Sequence, residues 1–367
     1  MTRSPERVVI AGGGTGGHLF PGIAVARELE KRRPDINISF AGTAHGIEAK
    51  VVPHEGFELD MLRSKGIKGK SIAARVKGMA LVPLGLLDAW RILSRRSPAL
   101  VIGVGGYSSG PVVLMAAMRG TPTLLLEQNA VPGLTNRLLA RVVRSAAVTF
   151  DTTRSFFGSK AFVSGNPVRP EFLEAGEPRG GVGPYERSTR ARVLIFGGSQ
   201  GAHAINVAMV EAAPKLANGA PLRITHQTGE RDLEMVRAGY RAAGLEAEVE
   251  PFLYDMARRI QDADLIVCRA GSTTLAELTV AGKAAILIPL PTATDDHQRR
   301  NAEALASAGA AELMLQSEAS GARLADRILA LAADSGARRQ MADAARRLAK
   351  PDAAGVIAAK AIELMRT

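Results

Sequence analysis

Cysteine is almost missing from this chain: Cys268 is the only one in 367 residues. A single thiol excludes an internal disulfide framework and suits a reducing cytoplasm. Aromatic side chains are scarce too, at 4% with one tryptophan, which leaves little material for the stacking platforms that hold single-stranded nucleic acid. The apolar run at residues 79–87 falls far short of the ~20 residues of a membrane-spanning helix, and Pro83 interrupts it. The first six residues are polar and lead into an apolar run, so no signal peptide is expected. The six histidines are scattered. With no second His or Cys at ligand spacing, no metal site and no cofactor is expected.

What is present is an ordinary globular composition, 46% hydrophobic and 23% charged, with a net charge of +11. The length suits about two domains with a sizeable core. The basic excess points to anionic partners, with nucleic acid ranked behind phosphorylated substrates and anionic lipid.

Strand and helix patterns alternate through the first half, with strands expected at residues 8–11, 36–41, 57–62, 100–103, 123–127 and 146–148. This alternation predicts a parallel α/β sheet with helices on both faces. Two prolines in Asn166-Pro167-Val168-Arg169-Pro170 and a Gly-, Pro- and charge-rich stretch at 174–190 mark the interdomain region. The pattern then restarts at 191–196, with a glycine loop, a helix over 204–216, and strands at 222–227, 248–252, 265–268, 285–289 and 310–315. The fold class is therefore α/β, two Rossmann-like domains facing across a cleft, the first spanning 1–165 and the second 166–350. A final Ala-rich helix, 352–366, is expected to pack back on the first domain.

Ligands of such sheets bind beyond the carboxyl ends of the strands. The first such loop is Gly12-Gly13-Gly14-Thr15-Gly16-Gly17-His18, followed by a helical pattern over 23–29. Backbone N–H groups converge there on an anion. Gly12, Gly14 and Gly17 fit the dinucleotide fingerprint, yet the second strand runs into Gly42-Thr43 without the carboxylate that holds a ribose. A P-loop fails as well, since His18-Leu19 follows Gly17 where Lys and a hydroxyl belong. A phosphate- or substrate-facing loop with a histidine at its end remains. Gly103 to Pro111 forms another such loop, Glu127-Gln128-Asn129 ends a buried strand, and Cys268 to Glu277 reads as strand, turn and helix. Asp295-Asp296-His297-Gln298 groups side chains fit for sugar hydroxyls. Tight packing, helix caps and solvated loops are the bland alternatives for each. Between Lys65 and Arg96, basic residues flank the apolar run and Trp90. That suits either an interfacial contact with anionic lipid or a core helix with a solvated flank.

The ordered set Gly13–His18, Gly105-Gly106-Tyr107, Glu127-Gln128-Asn129, Asn166–Arg169, Gly197–Gly201, Arg269–Glu277 and Asp296-His297-Gln298 closely resembles the MurG family of peptidoglycan N-acetylglucosaminyltransferases. The resemblance spans nearly the whole chain. It implies the GT-B architecture, and transfer of N-acetylglucosamine from UDP-N-acetylglucosamine to the C4 hydroxyl of the muramoyl sugar of undecaprenyl-diphosphate-linked lipid I, giving lipid II. It implies inversion without a catalytic metal, a peripheral position on the cytoplasmic face of the plasma membrane, and no nucleic-acid partner. By motif, Thr15, Gly16, Gly17, Asn129, Arg169, Ser199, Ser272, Thr273, Thr274, Leu275, Ala276, Glu277 and Gln298 contact the donor, and the backbone of Leu253 meets uracil. Gly105, Gly106 and Tyr107 face the acceptor, and Leu86, Leu87 and Trp90 the bilayer. Inversion needs a base. His18 is the first choice, because imidazole titrates near neutrality. Glu127 is the second choice, or the residue that orients His18. The rivals are a UDP-N-acetylglucosamine 2-epimerase, a lipid-linked galactosyltransferase and a non-catalytic membrane-docked nucleotide-sugar sensor.

Overall fold

A computed structural model describes residues 6–64, 82–174, 190–198 and 200–366. The basic stretch from Lys65 to Lys77, most of 174–190, and Ser199 lie outside these residues. The chain divides into two compact units, Met1–Arg169 with Lys350–Thr367, and Pro170–Ala349. The division falls after Arg169 rather than at 165/166. Val168 is buried, and the Arg169 guanidinium lies 5.8 Å from the centre of the Phe20 ring, so this segment packs with the first unit.

Unit 1 holds a seven-stranded sheet ordered β3-β2-β1-β4-β5-β6-β7. Its strands are β1 (Arg7–Gly12), β2 (Asn37–Gly42), β3 (Glu58–Met61), β4 (Leu100–Gly105), β5 (Thr123–Glu127), β6 (Ser145–Val148) and β7 (Ala161–Val163), and each pairing is parallel. Side chains of a strand alternate between faces, and the core follows that period. Val8, Ile10, Ile102, Leu124 and Leu126 join the helices Gly16–Arg32 and Ala353–Met365 on one face. Val9, Ala11, Val101 and Leu125 join the helices Val82–Arg96 and Ser109–Met118 on the other. Strands covered on both faces read as continuous apolar runs, which is why they were visible in the sequence.

Unit 2 repeats the plan with six parallel strands, ordered β10-β9-β8-β11-β12-β13. They are β8 (Ala191–Phe196), β9 (Leu222–Gln227), β10 (Ala247–Glu250), β11 (Leu265–Cys268), β12 (Ala285–Leu287) and β13 (Glu312–Leu313). Val193, Ile195, Leu265 and Val267 pack with Ile205, Met209, Leu324 and Ile328 from the helices His203–Ala217 and Gly321–Ala333.

Several boundaries differ from the sequence expectation. The strand at 248–252 ends at Glu250, because Pro251 has no N–H for a ladder. The strands at 285–289 and 310–315 shorten to three and two residues. β7 gave no signal, since three residues cannot show a period. The first helix opens at Gly16 and carries Pro21 inside it, so it rises directly out of the glycine loop.

Candidate active site

Both sheets reverse their winding at one place. In unit 1 it lies between β1 and β4, in unit 2 between β8 and β11. A crevice opens at the carboxyl ends of such neighbours. The loops there are 12–15 and 105–108 in unit 1, and 197–202 and 269–271 in unit 2. The sequence placed its glycine motifs on these four loops.

In unit 1 the two loops touch. A Cβ on Gly106, whose φ is +78°, would come within 2.6 Å of the Gly13 carbonyl oxygen, so only glycine lets the backbones approach this closely. The Tyr107 ring packs beside Gly14. Thr15 caps the helix Gly16–Arg32 with extended φ and ψ, and its carbonyl accepts from the amides of His18 and Leu19. His18 thus stands in the first helical turn, with its ring beside Gly105. Thr15, Gly16, Gly17, His18, Gly105, Gly106 and Tyr107 are brought together at the unit 1 switch point.

Glu127 does not join them. It is buried at the end of β5, and its carboxylate accepts from the Asn129 amide at 3.0 Å, the Gly133 amide at 3.1 Å and the Asn136 side chain at 2.9 Å. Burial pushes its carboxyl above the usual range despite these donors. Glu127 thus anchors the loop that carries Asn129, and its expected part as base or as orienter of His18 stands as a proposal. The residue that meets His18 is Gln128, whose Oε1 lies 3.2 Å from His18 Nδ1.

The sequence missed Glu48. No carboxylate ends β2, but Glu48 folds back from the start of the helix Glu48–His54 and is fully buried. It accepts from the Gly14 amide at 2.8 Å, the Thr43 amide at 2.9 Å and the Thr43 hydroxyl at 2.8 Å. Burial alone would raise its carboxyl. These hydrogen bonds outweigh that and hold it below the usual range. The first glycine loop thus already has an anion on the Gly14 amide, supplied by the chain itself. The only sequence signal was an acidic residue six positions beyond Gly42.

In unit 2 the expected donor residues lie along one edge of the sheet. Leu253 follows β10 and is buried, Ser272 through Glu277 open the helix Ser272–Ala281 after β11, and Gln298 sits in the helix His297–Ser307 after β12. Glu277 is only 5% exposed, so it is not the solvated helix glutamate of the bland reading. Asp295 and Asp296 both have positive φ, at +56° and +54°. Two successive left-handed non-glycine residues store strain, which proteins concentrate at ligand loops. The Gln298 Oε1 accepts from the Leu290 amide at 3.0 Å and closes that loop. Arg269 turns inward, donating to the carbonyls of Ile288 and Pro289 and to Gln316 Oε1.

Leu86, Leu87 and Trp90 lie on the helix Val82–Arg96. Gly85, Ala89, Ile92 and Leu93 form its buried face. Trp90 is 52% exposed, and Val82, Leu84 and Leu87 are exposed beside it, while Leu86 is half-buried. The helix is both a core helix and the bearer of an exposed apolar strip.

Two doubly wound α/β units in one chain, each with amide-rich loops at its switch point, are the architecture of the GT-B class. The glycosyltransferase family 28 N-terminal domain matches residues 8–148, and the family 28 C-terminal domain matches 192–357. A relative from Anaeromyxobacter sp. (strain Fw109-5), a UDP-N-acetylglucosamine--N-acetylmuramyl-(pentapeptide) pyrophosphoryl-undecaprenol N-acetylglucosamine transferase, is 48% identical over 98% of this chain and 94% of its own. The crystal structure of Acinetobacter baumannii MurG matches with a TM-score of 0.81 at 32% identity, covering 98% of this chain and 100% of that one. The chain belongs to the MurG family of N-acetylglucosamine transferases within glycosyltransferase family 28. The resemblance read from the motifs thus holds along the whole chain. A UDP-GlcNAc 2-epimerase from Neisseria meningitidis, bound to UDP-GlcNAc, shares the fold alone, with a TM-score of 0.65 at 13% identity over 98% of this chain and 99% of that one.

Proposed function

We propose that this chain transfers N-acetylglucosamine from UDP-N-acetylglucosamine to the C4 hydroxyl of the muramoyl sugar of undecaprenyl-diphosphate-linked lipid I, producing lipid II. The observation that carries this reading is the 48% identity, over 98% of the chain, to a relative named for that activity. In the proposed step His18 removes the proton of the C4 hydroxyl while that oxygen attacks the anomeric carbon. The C1–O bond breaks, UDP leaves with the electron pair, and the anomeric centre inverts. Amides of the 197–202 loop and of the start of the helix Ser272–Ala281 take up the charge developing on the diphosphate. Glu277 holds the ribose hydroxyls and the Leu253 backbone holds uracil. Thr15, Gly16, Gly17, Asn129, Arg169, Ser199 and Gln298 complete the donor contacts, and Gly105, Gly106 and Tyr107 face the acceptor. No cofactor enters the reading.

The acceptor is lipid-borne, and two features support a peripheral contact with anionic lipid on the cytoplasmic membrane face. Val82, Leu84, Leu87 and Trp90 form an exposed apolar strip, and Arg91 and Arg95 lie on the same helix. Apolar insertion combined with basic residues is the chemistry of interfacial binding. Among the described residues no helix is long and apolar enough to cross a membrane.

The deciding assay follows UDP release from UDP-N-acetylglucosamine with and without a short-chain lipid I analogue. Acceptor-dependent release is expected. Release without acceptor, with a mannosamine product, overturns the reading in favour of the epimerase.

A further inference from the structure

Gln128 is 1% exposed, and the proposed chemistry gives it no part. Its side chain bridges the end of β5 to two partners. Its Nε2 donates to the Val104 carbonyl at 3.0 Å, and its Oε1 lies 3.2 Å from His18 Nδ1. The amide orientation follows from those partners. Turned over, the amide would set its oxygen against the Val104 carbonyl oxygen, two acceptors with no proton between them. An amide oxygen only accepts, so the His18 nitrogen facing it must be the donor. A neutral imidazole carries one N–H, and placing it on Nδ1 puts the lone pair on Nε2. Only glycine at 105 admits the ring at this place, because a Cβ built there would stand 2.9 Å from Nδ1 and 3.0 Å from Cε1.

We infer that Gln128 is a positioning residue that fixes His18 as its Nδ1–H tautomer and makes Nε2 the basic nitrogen. The consequence for catalysis rests on His18 being the base, as proposed above. The partner's neutrality is part of the device. A carboxylate at this place would also direct the proton to Nδ1, but it would stabilise the imidazolium and raise the pH at which the base loses its proton. An amide directs the proton without that second effect. Gln128 and the loop-anchoring Glu127 are neighbours in sequence, and alternation along the strand end sends one to the histidine and the other to the 129–136 loop.

The test uses the full-length protein with 15N-labelled histidine at pH 8, above the ordinary imidazole value of about 6.5. The His18 signals are identified by their loss in His18→Gln. The native spectrum, which needs no variant, is expected to show Nδ1 protonated and Nε2 bare. In Gln128→Met the ring is expected to drift toward the Nε2–H form that imidazole favours in water. With the short-chain acceptor, Gln128→Met lowers kcat about tenfold and leaves the donor KM within about twofold. Gln128→Glu recovers most of kcat and moves the acid limb of the kcat profile up by about one pH unit. A native Nε2–H ring overturns the inference, and so does an Nδ1–H ring that persists in Gln128→Met. A tautomer that changes while kcat and its pH limb stay put upholds the tautomer assignment and removes His18 from the role of base.

Discussion

The two units share a winding plan, with a glycine loop after the first strand of each, yet they secure those loops by different means. In unit 1 the loop is held by an ionised side chain from within the chain, the Glu48 carboxylate on the Gly14 amide. In unit 2 it is held by backbone packing. A Cβ on Gly201, at φ +73°, would collide with the Thr228 carbonyl oxygen. Behind Thr228 lies a network whose anion stands one step removed from the loop, since Asn206 Nδ2 also donates to the buried Asp232 carboxylate at 2.9 Å. Asn206 Nδ2 donates to the Thr228 carbonyl at 2.9 Å, and its Oδ1 lies 3.1 Å from His226 Nε2, whose ring also meets the Tyr240 hydroxyl at 2.8 Å. Among the described residues, no carboxylate accepts from the amides of Gly197, Gly198 or Gln200. The contrast matches the division of labour proposed above. A loop already carrying its own anion is suited to presenting a side chain such as His18. A loop whose amides face no internal carboxylate is suited to an anion brought by the donor.

The largest effect tests what unit 1 presents. His18→Ala is expected to lower turnover by about 10² to 10⁴-fold, or about 3 to 5 kcal/mol in the barrier, with donor affinity largely intact. Steady-state kinetics with donor and acceptor varied separately reads both quantities. Unchanged turnover would leave the unit 1 loop without a catalytic role and dissolve the contrast.

The next effect concerns how that loop is held. Glu48→Ala strips the acceptor from two buried amides and a hydroxyl, and each buried group left unpaired costs about 1 to 3 kcal/mol. Partial relaxation brings the expected loss of stability to about 3 kcal/mol. Glu48→Gln keeps one acceptor and should lose about half as much. Urea unfolding followed by a unit 1 probe measures both. Full stability in Glu48→Ala would show that the carboxylate is incidental to the loop.

Acid separates the units by their buried groups. His226 is fully buried, and desolvation pushes its ring down to about 3 from 6.5. The unfolded chain takes up the proton first as pH falls. The stability tied to neutral His226 is therefore complete above about pH 6.5 and drains away toward pH 3, at up to about 1.4 kcal/mol per pH unit. Glu48 behaves otherwise. Its carboxyl is lowered from 4.5, so its contribution persists above that value and is lost only as pH falls through the depressed one. Between pH 6.5 and 5, hydrogen exchange should show β9 losing up to about 2 kcal/mol of protection while β1 holds. Equal losses in the two strands would erase this difference.

Much of this was legible beforehand because parallel strands buried on both faces announce themselves as apolar runs. Residues 123–127, Thr through Glu, were bounded correctly for that reason. The glycine loops were legible because close backbone approach needs glycine. The partners of the site side chains were not. Glu127 and Gln128 look equally placed in sequence, and only the pleat and the Val104 carbonyl decide which one reaches His18. Glu48 was invisible because its clamp joins residues 34 positions apart, through a turn with no periodic pattern. The exposed strip on the helix Val82–Arg96 was half legible. Composition showed it to be apolar and basic, but which residues face outward depends on where the helix settles on the sheet.

That strip supplies the smallest expected effect, and again the units differ. In unit 1 four exposed apolar side chains recur along one helix, at Val82, Leu84, Leu87 and Trp90, while others such as Met118 and Leu138 lie elsewhere. In unit 2 Phe252 and Tyr254 form an exposed pair, and the others, as at Met235 and Leu348, are spread among separate elements with no helix carrying four. Clustering beside Arg91 and Arg95 is what an interface with anionic lipid requires, whereas scattered exposed apolar residues need no explanation. Leu87→Gln with Trp90→Gln should weaken binding to vesicles containing anionic lipid about tenfold, or about 1.4 kcal/mol. Met235→Gln should leave it unchanged. Both residues of the strip are exposed, so the melting temperature should barely move. Binding that survives the double substitution, or falls equally with Met235→Gln, would move the membrane-facing surface away from this helix.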